Sequence, residues 1–153
     1  MPIALIILAA GQGTRMNSDL PKVLHKVAGA PLLVHAMRTG AGLEPERTVV
    51  VAGHGAEQVA KAAQDWDETV EVVLQPEQKG TGHAVRTALP ALSGFQGKVI
   101  VLYGDTPFIR PETLEAMLDR EGLAPCAEAA AVKAAWERAY AATPHGQPVR
   151  LAD

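Results

Sequence analysis

Four short runs of the chain are almost wholly apolar, without the alternation of a half-wet strand: residues 3–8 (IALIIL), 48–52 (TVVVA), 70–74 (VEVVL) and 98–103 (KVIVLY). Unbroken, β-branched-rich runs of this length are how strands covered on both faces read. Each run closes on a turn former, at Gly11, Gly53, Pro76 and Gly104. Between the runs the pattern turns helical. Residues 32–39 (LLVHAMRT) open after Pro31, a favourable first-turn position. Residues 56–64 (AEQVAKAAQ) follow Gly53-His54-Gly55, and residues 82–92 (GHAVRTALPAL) read as a helix until Pro90 weakens it. Residues 111–120 (PETLEAMLDR) begin with proline and carry acids in the first turn. Strand-helix alternation with short connections predicts an α/β fold of three layers around a mostly parallel sheet.

The pattern changes at residue 121. Residues 1–120 read as one body and residues 121–153 as a divergent tail. Within the tail, residues 128–142 (EAAAVKAAWERAYAA) are alanine-rich and predict a helix, with Val132, Trp136 and Tyr140 on one face. Residues 143–153 have turn formers and no period, and read as a loose end.

Composition narrows the class. With 153 residues, 48% apolar and 20% charged, the chain is globular rather than disordered. Its 14 basic and 17 acidic residues give a net charge of -3, which argues against a duplex nucleic-acid partner but suits a small anion in a local basic pocket. The lone cysteine, Cys126, excludes an internal disulfide and a cysteine-rich zinc site. The apolar stretch at residues 3–10 is too short to span a bilayer and has no basic leader before it. The expectation is a cytoplasmic protein with no membrane partner. The five histidines show no metal-binding spacing and read as surface or packing residues.

In an open parallel sheet, ligands bind beyond the carboxyl ends of the strands. Three strand ends here carry ligand-type chemistry. After the first comes LAAGQGTRM, residues 8–16. Its bare residues let backbone N–H groups approach an anion closely. Arg15 adds a forked cation suited to phosphate oxygens, and Lys22, after Pro21, adds a point charge. The natural occupant is the phosphate chain of a nucleotide, although glycine spacing alone fits a plain strand-to-helix turn as well. The loop is neither a GxxxxGK[ST] loop nor a GxGxxG fingerprint. After the third strand comes QPEQKGTGHA, residues 75–84, whose glutamines offer the donor and acceptor needed to read a base edge. After the fourth comes YGDTP, where Asp105 is placed either to hold Mg²⁺ near bound phosphates or to cap a turn. Three such loops in one sheet coincide by accident far less often than any one of them.

Taken together, LAAGQGTRMNSDLPKVLH, VVVAGHGAEQV, LQPEQKGTGHAV and VLYGDTPFI resemble sugar-1-phosphate nucleotidyltransferases. In particular they resemble the uridylyltransferase domain of the bacterial bifunctional enzymes that make UDP-N-acetylglucosamine. The resemblance runs from about residue 3 to about residue 120. It implies a Rossmann-like nucleotidyltransferase fold, a Mg²⁺ cofactor, and UTP and N-acetylglucosamine 1-phosphate as substrates. By the same implication Leu8, Ala9, Ala10, Gly11, Gly13 and Thr14 carry the nucleotide. Arg15 meets the triphosphate, and Lys22 holds phosphate oxygens near the reacting phosphorus. Gln75 reads uracil with Gly80 and Thr81, Tyr103 and Gly104 line the site, and Asp105 binds the metal. The family's later glycine-rich YGR loop, its sugar-holding glutamate and asparagines, and its second metal-binding asparagine have no counterpart in residues 121–153. The residues therefore leave two alternatives open, a non-catalytic UTP- or UDP-sugar-binding fragment and a related guanylyltransferase. A homo-oligomer is possible under any of these readings.

Overall fold

A computed structural model describes residues 1–13 and 17–119. The chain enters through strand β1 (Ile3–Ala9) and reaches a 3-10 turn (Lys22–Leu24) and a small hairpin, β2 (Lys26–Val27) and β3 (Ala30–Pro31). Helix α1 (Leu32–Ala41), strand β4 (Arg47–Ala52), helix α2 (Ala56–Trp66) and strand β5 (Glu71–Leu74) follow. Helix α3 (Thr81–Ala88) runs on into a 3-10 turn (Leu89–Leu92), and strand β6 (Lys98–Tyr103) and helix α4 (Pro111–Leu118) complete the body.

The main sheet has the order β5-β4-β1-β6, and every neighbouring pair is parallel. β1 is flanked on one side through Leu5↔Thr48 and on the other through Leu5↔Ile100. Its side chains divide by the period of two. Leu5, Ile7 and Ala9 enter one core with Leu33, Met37, Val59 and Leu114 of α1, α2 and α4. Ala4 and Ile6 enter a second core with Ala84, Val85 and Ala88 of α3, and with Leu92 and Phe95. The sheet is therefore the middle of three layers, which is why its strands read as unbroken apolar runs. The predicted α/β, Rossmann-like architecture is the observed one.

The chain moves outward from β1 through β4 to β5, then returns to the other side of β1 as β6. Connections on the two sides of β1 leave in opposite directions, so a crevice opens beyond the ends of β1 and β6.

Two local readings need correction, and one element was not read. The helix predicted over residues 82–92 is α-helical only to Ala88, because Pro90 has no N–H to continue the ladder and the chain tightens to a 3-10 turn. Pro31 precedes the first turn of α1 instead of sitting in it, with ψ 147, because it pairs with Lys26 in the hairpin. That hairpin escapes pattern reading, since strands of two residues have no period. Its turn is set by positive φ at Ala28 (50) and Gly29 (80). The tail helix over residues 128–142 and its Trp136/Tyr140 face lie outside the described residues. Among the described residues no helix is long and apolar enough to cross a membrane.

Candidate functional site

The crevice beyond β1 and β6 holds a cavity of about 670 Å³. Leu8, near the end of β1, and Ala10, Gly11 and Gly13 of the loop after it form one wall. Gln75, Gln78, Gly80 and Thr81 form the second, from the connection between β5 and α3. Tyr103 and Asp105 close the third side after β6, and Lys22 reaches in from the 3-10 turn. Ten of the residues expected from the sequence thus share one cavity. Ala9 and Gly104 do not line it. Ala9 faces the core beneath β1, and Gly104 is buried, its N–H donating to Leu8 O at 2.9 Å. Thr14 and Arg15 lie outside the described residues.

Lys22 is held from below. Leu24 N–H donates to Pro21 O at 2.9 Å and His25 N–H to Lys22 O at 3.2 Å, which makes the turn, while Val23 and Leu24 are buried. Gly13, at φ +59, lies against the stem of Lys22: a Cβ built there would be 2.6 Å from Lys22 Cβ. Only glycine meets both the left-handed backbone and that close approach. Pro21 is seated in the same manner against Gly55, also left-handed at φ +63. The Lys22 ammonium then donates to Asp105 Oδ2 at 2.8 Å, joining positions 83 residues apart. With side chains 42% and 34% exposed, such a pair contributes only about 0–1 kcal/mol to stability. Lys22 is thus a long, partly solvated cation at the cavity wall whose ion pair adds little to the fold.

The β6 loop is tied down at both ends. Gly104 N–H bonds back to β1, and Thr106 Oγ1 donates to Tyr103 O at 2.9 Å. Asp105 is the one carboxylate lining the cavity among the described residues, and no group of three or more His, Cys, Asp or Glu converges there or elsewhere among them. A divalent cation bound at Asp105 would therefore complete its oxygen shell from a ligand and water. That suits a hard cation that keeps waters and takes substrate phosphates.

Gln75 is only 3% exposed although it lines the cavity. Its backbone N–H donates to Ala52 O at 2.7 Å, extending the β4–β5 ladder by one residue. Its Nε2 lies 2.8 Å from His83 Nδ1 and 3.4 Å from Gly80 O. Gly80, at φ +94, precedes α3 without any side-chain cap. The uncapped first turn of α3, with Thr81 in the wall, adds the positive end of a helix dipole to the site.

The pattern left Val23 and Ala84 unmarked, and it placed Gln78 and His83 in the run 75–84 without the contacts that the fold gives them. Gln78 Nε2 donates to Ala10 O, latching the second loop onto the first. Its amide lies in the same glutamine-bearing run as Gln75, so the signal was present. Val23 and Ala84 complete the lining as apolar filler, and nothing in their local sequence distinguishes them. His83 is not part of the lining but touches Gln75, a contact that only the fold reveals.

A family model described as the MobA-like NTP transferase domain matches residues 5–152. The chain is 71% identical over 117 residues to the bifunctional protein GlmU of Cereibacter sphaeroides, covering 76% of this chain and 26% of that protein. It thus spans about a quarter of the length of the curated relatives it matches. Among solved structures, a nucleotidyl transferase from Methanothermobacter thermautotroptrophicus superposes with a TM-score of 0.68 at 23% identity, over 78% of this chain and 57% of that one. Rv0371c of Mycobacterium tuberculosis H37Rv, solved with manganese, gives 0.62 at 24% identity, over 78% and 59%. At these identities the structural likeness speaks for the fold.

Proposed function

The chain belongs to the MobA-like NTP transferase domain family, and from that premise we propose that it transfers UMP from UTP to N-acetylglucosamine 1-phosphate. The products are UDP-N-acetylglucosamine and pyrophosphate, and the reaction takes place in the cytoplasm. Membership of an NTP transferase family supports nucleotidyl transfer by this chain. The choice of uracil and of the amino sugar is the proposal, supported by 71% identity to GlmU. The observation that carries the transfer chemistry is the Lys22–Asp105 contact at 2.8 Å, at a cavity whose lining includes Gly11, Gly13 and Gly80.

The reaction asks little of acid-base chemistry. A non-bridging oxygen of the sugar phosphate bonds to the α-phosphorus of UTP. The bond from that phosphorus to the bridging oxygen breaks, and pyrophosphate leaves with the electron pair. The nucleophile is already an anion, so the protein's work is to hold two anions together and neutralise charge as it moves. Lys22 supplies a cation at the cavity wall, and Arg15 is assigned the outer phosphates. Backbone N–H groups of the Ala10–Gly13 loop and the first turn of α3 add donors that need no reorganisation. Gln75 with Gly80 and Thr81 is assigned the base, and Tyr103 the flank of the nucleoside. A divalent cation, taken to be Mg²⁺, would be held by Asp105 and would supply further charge neutralisation on phosphate oxygens. For Lys22 and Asp105 to take these roles their mutual contact must open, which its low net value permits.

A second reading, nucleotide binding without turnover, is favoured by one observation: Asp105 is the one carboxylate lining the cavity among the described residues, so a metal would have a single protein ligand there. The test is pyrophosphate release from UTP with Mg²⁺ and N-acetylglucosamine 1-phosphate, beside an Asp105→Ala control and a parallel UTP titration. Release that falls about 100-fold or more in the control supports turnover. UTP binding without release leaves the second reading, and absence of binding removes both.

A further inference from the structure

Behind the cavity wall, Gln75 directs its Nε2 at two partners, Gly80 O at 3.4 Å and His83 Nδ1 at 2.8 Å. A carbonyl oxygen only accepts, so the amide end turned toward Gly80 is the NH₂ end. That same nitrogen faces His83 Nδ1, which must then be the acceptor, with the imidazole proton on Nε2. Both amide hydrogens are thereby committed to the protein. Gln75 is left with Oε1, an acceptor, to offer to a ligand.

The consequence is selectivity. Uracil presents an N–H donor at ring position 3, whereas cytosine presents a bare ring nitrogen there, which accepts. Oε1 pairs with the first and opposes the lone pair of the second. Were the amide turned over, its NH₂ would favour cytosine instead. We infer that His83 is a positioning residue that fixes which end of the Gln75 amide faces the cavity, and so makes the site prefer a uracil nucleotide over a cytosine nucleotide. The inference rests on the reading of Gln75 as the base-reading group. His83 is itself held in place, because it sits in the first turn of α3 and its own carbonyl accepts from Thr87 Oγ1 at 2.9 Å.

Two measurements separate the parts. The first is the ratio of CTP to UTP dissociation constants, by calorimetric titration of the full chain and of two variants. His83→Leu removes the acceptor, and the ratio falls about 10- to 100-fold, the size of effect expected when one buried polar group loses its partner. His83→Asn restores an acceptor near the position of Nδ1, and the ratio returns to within about threefold of the parent. A merely structural role would affect both nucleotides alike. An unchanged ratio in a folded His83→Leu chain overturns the inference. The second measurement needs no ligand and no variant: the ¹⁵N shifts of the His83 ring report its tautomer. A proton on Nε2 is expected, and a proton on Nδ1 overturns the inference. A parent chain with the expected tautomer that binds UTP and CTP equally would refute the base-reading role of Gln75 and the selectivity with it. A parent with the unexpected tautomer that still prefers UTP would refute His83 alone.

Discussion

Replacing Lys22 with methionine separates what the Lys22–Asp105 contact does for the fold from what it does for a ligand. Methionine keeps an unbranched stem against Gly13 and removes only the charge. At 2.8 Å the gross Coulomb attraction is about 6 kcal/mol at an effective dielectric of about 20, and about 1.5 kcal/mol in water. The side chains are 42% and 34% exposed, so water screens the pair, and ordering two flexible side chains offsets most of the remainder. The net contribution is about 0–1 kcal/mol. Lys22→Met should therefore lower the melting midpoint by no more than about 5 °C. Against a triphosphate the same ammonium makes a charge-assisted hydrogen bond worth about 1.5–3 kcal/mol. The UTP dissociation constant should then rise about 10- to 150-fold. Circular-dichroism melts and calorimetric titration with UTP and Mg²⁺ read the two effects on one sample. A UTP affinity within about threefold of the parent would refute the reasoning by leaving the ammonium no phosphate role, as would a melt lowered by about 10 °C or more, which would make the pair a structural brace.

Gly13→Ala places a side chain at φ +59 and 2.6 Å from Lys22 Cβ; the left-handed backbone costs about 1–2 kcal/mol and the forced shift about 1–3 more. Urea unfolding should show the sum, with UTP binding weakened in the chains that stay folded. Leu33→Ala empties a fully buried site between α1 and the sheet and should cost about 2–5 kcal/mol in urea unfolding, with UTP affinity unchanged wherever the chain is folded. Gln78→Ala cuts the latch to Ala10 O; stability should move by less than about 1.5 kcal/mol, while faster hydrogen exchange at Gly11 and Gly13 would report the loosened loop.

The four apolar runs and the helical spacing between them determined the layer architecture by themselves. A strand that meets core on both faces has no polar position to spare, and that requirement is written residue by residue in IALIIL and TVVVA. The glycines at 11, 13 and 80, the paired glutamines and Asp105 marked three strand ends as candidate ligand loops for a similar reason: bare backbone and unpaired polar groups are locally expensive, so their presence is legible without neighbours. What the chain does not spell out is which of these groups meet. Lys22 and Asp105 are brought to 2.8 Å only because β6 returns to the far side of β1. Gly55 is fitted to Pro21, and Gln78 to Ala10, by loops from different strands. Ala9 and Gly104, adjacent to wall residues, were turned into the protein by the pleat and by a ladder bond. His83 looked like any helix histidine until α3 packed beside the end of β5 and set its Nδ1 against Gln75. Local composition encodes strand, helix and turn because those depend on neighbours a few residues away. Pairings across the crevice depend on strand order, which is decided by how two cores close on opposite faces of one sheet.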